Sequence, residues 1–323
     1  MEEFEKILSL TVPEIKERIR ELEASELERL KALEVSGKGR KGVIRSIDSK
    51  LKHLRKGLVT RYGFVPDTIF KPRDYEGLRD GKWIRFGLCG DTHLINNYHD
   101  SEAWQRYCAD LVKEGIVQLF HAGDFWDGCT SSVEVYRGQR LDVPIVNFDK
   151  AMDEIAKTCP DFGLKKDFIL GNHDAKVYEM EGVDAGKIMV MKREQHGHDD
   201  FRYLQPYYAR IELSSNPLVY LDLVHLRRYP SYSLGYAMQV YLREVPPRMR
   251  AHVYGFGHTH KKAWAAVEDE AECFLVGCFQ KPNSYSIRQR KGTAIGGWLV
   301  ELKLATNSPN PIDRLRAEFL RYD

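Results

Sequence analysis

The sequence predicts an α/β fold preceded by a small all-α amino-terminal domain, and three observations carry that prediction. From residue 82 onward, short apolar runs of strand length alternate with stretches of helical periodicity. Four of those runs lead into Gly followed by Asp, Asn or His (Gly90-Asp91, Gly123-Asp124, Gly171-Asn172, Gly257-His258). Strand carboxyl ends are where open α/β sheets gather ligand-binding side chains. The first 62 residues, by contrast, show helical spacing and no strand pattern.

Bulk properties narrow the class. A chain of 323 residues suits a main domain with a smaller appendage. The net charge of +2 does not announce a nucleic-acid binder, yet the charge is unevenly placed. Nine basic residues lie between Ser36 and Tyr62 against the single acid Asp48, while the preceding segment leans acidic. The six cysteines form no C-x-x-C pair and read as reduced thiols in a cytosolic protein. No signal-like segment and no run of membrane-spanning length occurs, so a soluble cytoplasmic protein without a membrane partner is expected.

The amino-terminal elements come first. Thr11-Val12-Pro13-Glu14 has the form of a helix start: Thr as N-cap, Pro in the first turn, Glu three residues on. Ile15, Ile19 and Leu22 follow at helical spacing. A second helix is expected over 24–33 and a third over 42–58, separated by the basic loop Ser36-Gly37-Lys38-Gly39-Arg40-Lys41. Helix, basic loop, helix resembles small nucleic-acid-binding modules of the SAP or Rho-amino-terminal type, which implies phosphate contacts by residues 1–62. The alternative is a helical arm with solvated lysines that packs on the main domain or on another subunit of a homo-oligomer.

In the main domain, assigned to 80–306, residues 82–89 form a strand leading into Asp91-Thr92-His93. Residues 101–113 form a helix capped by Ser101, with Trp104, Tyr107, Cys108, Leu111 and Val112 on its buried face. The strand 116–120 enters His121-Ala122-Gly123-Asp124-Phe125-Trp126-Asp127-Gly128, completing a βαβ unit with polar ligands at both strand ends. A long polar connection spans 129–146 and a helix 146–158. The strand 167–170 leads into Gly171-Asn172-His173-Asp174. Residues 175–203 receive no assignment, and His196 and His198 read as surface histidines. Strands over 207–213 and 218–224 belong to a second sheet, the latter ending at His225. A helix over 231–242 precedes the strand 251–256 and Gly257-His258-Thr259-His260. Strands at 273–278 and 298–304 close the domain, and 307–323 reads as a polar tail.

Asp91, His93, Asp124, Asn172, His225, His258 and His260 are carboxylates, imidazoles and one amide, with no thiolate among them. Such donors suit Mn, Fe, Co, Ni or Zn. Seven ligands exceed one ion and suit two if one carboxylate bridges, the arrangement that activates water and clamps a phosphoryl group. The neutral Asn172 limits the negative charge around the ions.

In full and in order, D-x-H, G-D-x-x-D, G-N-H-D, H and G-H-x-H resemble the calcineurin-like metallophosphoesterases, over residues 91 to 260. The resemblance implies a four-layer α/β/β/α sandwich of two mixed sheets and a centre of two divalent ions, Mn first among the candidates. It implies that Asp91, His93, Asp124 and His260 hold one ion, and Asp124, Asn172, His225 and His258 the other, with Asp124 bridging. His173 becomes the acid for the leaving oxygen. Asp174 supports local geometry, and Asp127 orients a histidine or caps a turn.

Protein phosphatases of that family carry Arg where this chain has Gly128, and the double-strand-break repair nucleases usually carry His where it has Asp127. Ser231-Tyr232-Ser233-Leu234-Gly235-Tyr236 is similar to phage-type, nuclease-like members. Basic residues follow the motifs (Arg227, Arg228, Lys261, Lys262, and later Arg288, Arg290 and Lys291), favouring a polyanionic substrate. Expected function is therefore a phosphodiesterase or nuclease acting on nucleic acid. The alternatives are an enzyme for a small nucleotide or phosphorylated metabolite, and an inactive binding scaffold. Trp126 or Tyr229 could stack on a base in either enzyme.

Overall fold

A computed structural model of the chain describes residues 7, 9–19, 27, 30–31, 33–35, 37–48, 68–74, 76–127, 147–226, 234–267, 271–283, 286–287, 292–305, 308 and 310–323. The chain divides into two compact units, Met1–Phe64 and Val65–Asp323.

In the first unit, helix α1 (Val12–Arg18) starts as its sequence predicts. The Glu14 carboxylate accepts from Thr11 Oγ1 at 2.6 Å and from Thr11 N at 2.9 Å, so cap and first turn close on each other. Ile15, Ile19, Leu27, Leu30, Val43 and Ile47 form one apolar cluster, the core of this unit among the described residues. Helical residues resume at 41–48, and the rest of the expected third helix lies outside the described residues. Arg40, counted above with the basic loop, is committed internally. Its Nε and Nη2 donate to the buried Glu34 carboxylate at 2.9 and 2.8 Å, and its Nη1 donates to Leu10 O at 3.2 Å. The loop is clasped rather than fully open.

The second unit is built on two sheets. One orders its strands β1 (Ile69–Phe70), β7 (Tyr208–Ser215), β8 (Leu218–His225), β9 (Val253–Gly257), β11 (Ala271–Val276) and β10 (Lys262–Val267). The other runs β13 (Ile312–Arg321), β12 (Gly296–Leu304), β3 (Trp83–Cys89), β4 (Gln118–His121), β5 (Lys165–Leu170) and β6 (Phe201–Pro206), with β2 (Arg79–Asp80) beside β3. Both are mixed: β3, β4, β5 and β6 are parallel neighbours, whereas β12 and β13 pair antiparallel. Phe86, Leu88, Phe120 and Ile169 from one sheet share a core with Ile211, Leu221, Leu223, Val253 and Phe274 from the other, so the sheets pack face to face.

Helices cover the outer faces. Helix α2 (Ser101–Lys113) lies against β12, with Tyr107 donating from its hydroxyl to Trp298 O at 2.9 Å. Helices α3 (Phe148–Thr158), α4 (Lys176–Glu181) and α5 (Ala185–Gln195) follow in the chain, and α5 packs on α3 and β6. On the other sheet, Tyr241 of α6 (Leu234–Glu244) meets Tyr254 and Phe256 of β9 edge to face. The architecture is the four-layer α/β/β/α sandwich. Among the described residues no helix is long and apolar enough to cross a membrane.

Several expectations are corrected. The cap of α2 is Asp100, whose carboxylate accepts from Ala103 N at 3.2 Å, not Ser101; Val112 on that helix faces solvent. The unassigned stretch 175–203 contains α4, α5 and the start of β6. Here polar groups are buried as pairs: Arg193 binds Asp200, which also takes Lys166 Nζ at 2.7 Å, and an apolar-periodicity reading cannot see such a core. Residues 312–321 of the expected polar tail form β13, in register with β12. Leu315, Ala317 and Phe319 alternate inward between charged neighbours, and Phe319 meets Trp298 edge to face. The polar connection 129–146 lies outside the described residues.

Candidate metal centre

The site forms where β3, β4, β5, β8 and β9 end together. Parallel pairing sets the register: Cys89 lies opposite His121 across β3 and β4, and His225 opposite Gly257 across β8 and β9. Beyond the strands, the loops after β3 and β4 continue side by side through Asp91 N→Gly123 O (2.9 Å), His93 N→Asp124 O (3.1 Å) and Leu94 N→Phe125 O (3.0 Å). The D-x-H and G-D-x-x-D segments are thus held as one ribbon.

Five of the seven expected ligands adopt left-handed backbone: Asp91 (φ 51°), His93 (49°), Asp124 (50°), His258 (85°) and His260 (53°). For a residue with a Cβ this costs roughly 1–2 kcal/mol each. Backbone strain of this kind clusters where a structure holds side chains to a task.

All seven residues come together. Asp91, His93 and His260 present ligand-type atoms within 4.8 Å of one another, as do Asp124, His225 and His258. Asn172 joins the second group: its Oδ1 lies 3.0 Å from His225 Nε2 and 2.7 Å from His258 Nδ1. Asp124 Oδ2 sits 3.2 Å from His225 Nε2.

The direction of the donors decides whether cations fit. His225 Nδ1 donates to Ala122 O at 2.9 Å, so in neutral His225 the Nε2 carries a lone pair. That lone pair faces the Asp124 and Asn172 oxygens, and acceptors aimed at acceptors need a proton or a metal ion between them. His93 repeats the pattern: Nδ1 donates to Asp127 Oδ1 at 2.7 Å, leaving Nε2 turned to His260 Nε2 at 3.1 Å. The nitrogen and oxygen donors suit divalent first-row ions.

The electrostatics agree. Burial pushes Asp91 up to about 7. Burial would also raise Asp124, but His225 and His173 hold it well below the usual carboxylate range. Burial opposes the charge on His225, but Asp124 and then Asp91 lift it to about 9. His260 is driven well down by burial and by His93, leaving a neutral imidazole suited to ligation.

His173 stands beside this set. Its Nδ1 lies 2.8 Å from Asp127 Oδ1, its Nε2 is 4.0 Å from Asp124 Oδ2, and its backbone N donates to Asp124 Oδ1 at 2.8 Å. Burial opposes its charge, yet Asp124 and Asp127 raise it to about 10. Asp174 is fully buried and accepts from Phe125 N at 2.8 Å and from Gly171 N, tying two site loops together rather than facing them.

Two expected substrate contacts, Trp126 and Lys262, do not survive. Trp126 is wholly buried against Phe148 and cannot stack on a base; Tyr229 lies outside the described residues. Lys262 turns from the site, its Nζ 4.7 Å over the Phe319 ring. His196 and His198 pair with Asp153 and Asp161 at 2.9 and 2.6 Å, away from the seven. Cys89, Cys108, Cys159, Cys273 and Cys278 are free and buried. Arg227, Arg228, Arg288, Arg290 and Lys291 lie outside the described residues. Asn96 was missed: it is buried and hydrogen-bonded to Asp127, and no motif marks it.

No protein-family model and no curated protein matches the chain. Solved structures similar to it include Vps29 complexed with zinc from Entamoeba histolytica (10% identity, TM-score 0.36, 74% of this chain and 100% of that one). A conserved uncharacterized protein from Streptococcus pneumoniae, described as a predicted phosphoesterase, matches at 12% identity and TM-score 0.36, over 74% and 90%. GAP50 of Plasmodium, described as the anchor in the inner membrane complex, matches at 12% and 0.41, over 74% and 84%. At such identities and scores the chemistry rests on the site's own atoms.

Proposed function

We propose that this chain is a dinuclear-metal phosphoesterase whose substrate is a phosphodiester of nucleic acid. The observation that carries the proposal is the convergence of lone-pair donors, above all His225 Nε2 on Asp124 and Asn172 with its other nitrogen already spent on Ala122 O. Asp91, His93, Asp124 and His260 would hold one ion; Asp124, Asn172, His225 and His258 would hold the other, with Asp124 shared. Two bound ions would supply positive charge for the phosphoryl oxygens and make water acidic enough to attack at neutral pH.

The chain's own residues do the rest. Asp127 fixes His93 and His173 through one oxygen. His173, held by Asp127 through Nδ1, gives a proton to the departing oxygen as the ester bond breaks. Asn172 adds a ligand oxygen without adding negative charge.

The nucleic-acid part of the proposal is supported by the basic composition of residues 36–62, nine basic residues against the single acid Asp48, of which Arg40 is clasped by Glu34. A small-nucleotide phosphodiesterase is the second reading, favoured by the diversion of Lys262 to Phe319 and of Arg40 to Glu34. The deciding experiment is hydrolysis, in Mn, of bis-p-nitrophenyl phosphate, p-nitrophenyl phosphate, and labelled single- and double-stranded DNA, with His173→Ala as control. DNA cleavage and diester turnover, both lost in the variant, support the proposal. Diester turnover without DNA cleavage moves it to the small nucleotide, and inactivity with every metal and ester refutes it.

A further inference from the structure

We propose that Asn96 is a positioning residue: it locks the Asp127 carboxylate so that one oxygen serves His93 and His173 together. The inference rests on the phosphoesterase reading for its consequence and on geometry alone for its premise. Asp127 Oδ1 lies 2.7 Å from His93 Nδ1 and 2.8 Å from His173 Nδ1, while Asn96 Nδ2 donates to the opposite oxygen, Oδ2. All three groups are buried or nearly so: Asn96 is 6% exposed, Asp127 4% and His93 1%.

A carboxylate needs that third partner because its terminal torsion is broad and confines the oxygens weakly. The two imidazoles it serves stand on different loops, their rings edge to face with centroids 4.8 Å apart. One oxygen satisfies both only in a narrow range of that torsion, and a donor on the other oxygen selects it. Asn96 is itself held: its Oδ1 accepts from Tyr98 N at 2.7 Å and its backbone N donates to His93 O at 3.1 Å.

The consequence is a coupling. With both Nδ1 atoms committed to Asp127, His93 directs Nε2 at the Asp91–His260 group, and His173 directs Nε2 toward Asp124. Releasing Asp127 disturbs a ligand and the acid in one event. Loss of positioning at the acid is felt most by substrates whose leaving oxygen needs a proton.

Two variants separate this role from simple support of the turn. Asn96→Asp keeps the acceptor for Tyr98 N and, once both carboxylates are ionised at alkaline pH, meets Asp127 with repulsion in place of a donor. Asn96→Leu removes both functions. The first readout is independent of activity: ring-nitrogen nuclear magnetic resonance of His93 and His173 in the full chain. Their Nδ1 protons should be protected in the wild type and exchange about tenfold faster or vanish in both variants. The second compares diesters with phenolate and 4-nitrophenolate leaving groups in Mn. In Asn96→Asp, kcat for the phenolate ester should fall about 100-fold, and far less for the nitrophenolate ester, with KM little changed.

Wild-type ring-proton protection and leaving-group dependence in Asn96→Asp would overturn the inference, and defects confined to Asn96→Leu would assign Asn96 to the turn alone. If the wild type hydrolyses neither ester, the phosphoesterase reading fails, while the ring protons still decide whether Asn96 holds Asp127.

Discussion

Replacing Gly257 by Ala tests how tightly the sheets hold His225. Gly257 ends β9 opposite His225, and a Cβ built there lies 2.2 Å from Ala122 O and 2.9 Å from His225 Nδ1. The first contact is about 1 Å inside the 3.4 Å where ordinary contact begins, and its partner is backbone, which cannot swing aside like a long side chain. Either the ends of β4 and β9 part by about 1 Å, or the Ala122 carbonyl rotates; both withdraw the acceptor that fixes His225 Nδ1. Overpacking of this kind costs about 1–3 kcal/mol. A displacement near 1 Å costs about 100-fold in turnover. The expected result is therefore a Tm lowered by several degrees, about 100-fold slower diester hydrolysis, and loss of one of two bound Mn ions per chain. Gly235→Ala is the control: a Cβ there meets nothing within 4 Å among the described residues, so Tm and turnover should hold or improve slightly. Wild-type turnover and metal content in Gly257→Ala would refute the account of His225's seat.

In the metal-stripped chain, Asp127→Asn removes a charge that helps raise His173, so its ring should titrate at lower pH than in the wild type; an unmoved nuclear magnetic resonance titration would assign the shift to another group. The metal-stripped chain should lose stability as pH rises from about 7 to 10. His173 and His225 have folded values above their ordinary one, so their contribution is complete below about 6.5 and fades through about 9 and 10. His260, His121 and His99, all lowered first by burial, act in the opposite sense but finish by about 6.5. A melting temperature in EDTA that rises over that alkaline range would contradict this assignment. Mn affinity should increase from pH 6 to pH 8 with proton release, because Asp91 and His225 must give up protons to bind it; calorimetry in buffers of different ionisation enthalpy measures the number released. Changing Lys38, Lys41 and Arg45 together to Ala should weaken DNA binding and flatten its salt dependence while small-diester hydrolysis stays unchanged; an unaltered salt slope would remove residues 1–62 from the DNA-binding reading.

The strands that carry the site were legible because four of the five are apolar runs broken by Gly and a polar donor, and β8 is an apolar run that ends on His225, local patterns independent of distant residues. The start of α1 was legible for the same reason, Thr11 and Glu14 being three residues apart. Elements whose inward face is charged or thinly apolar were not. Helix α5 buries Arg193 on Asp200, and β13 sets Leu315, Ala317 and Phe319 among charged residues. Local hydrophobicity cannot tell either from a solvated segment. Lys262 and Trp126 show the converse failure: their positions beside motifs suggested substrate contacts, and packing assigned them elsewhere.

By itself the sequence determined the α/β class, the seven donor side chains and their order, because residue chemistry and strand-end spacing are written locally. Only the tertiary structure decided that these donors converge as two groups at the strand ends. It alone decided that five of them take left-handed backbone, that Asp127 answers two histidines, and that Asn96 stands behind it. The physical reason is that lone-pair direction and tautomer follow from what the opposite ring nitrogen touches. For His93 and His225 those partners, Asp127 and Ala122, lie 34 and 103 residues away in the chain.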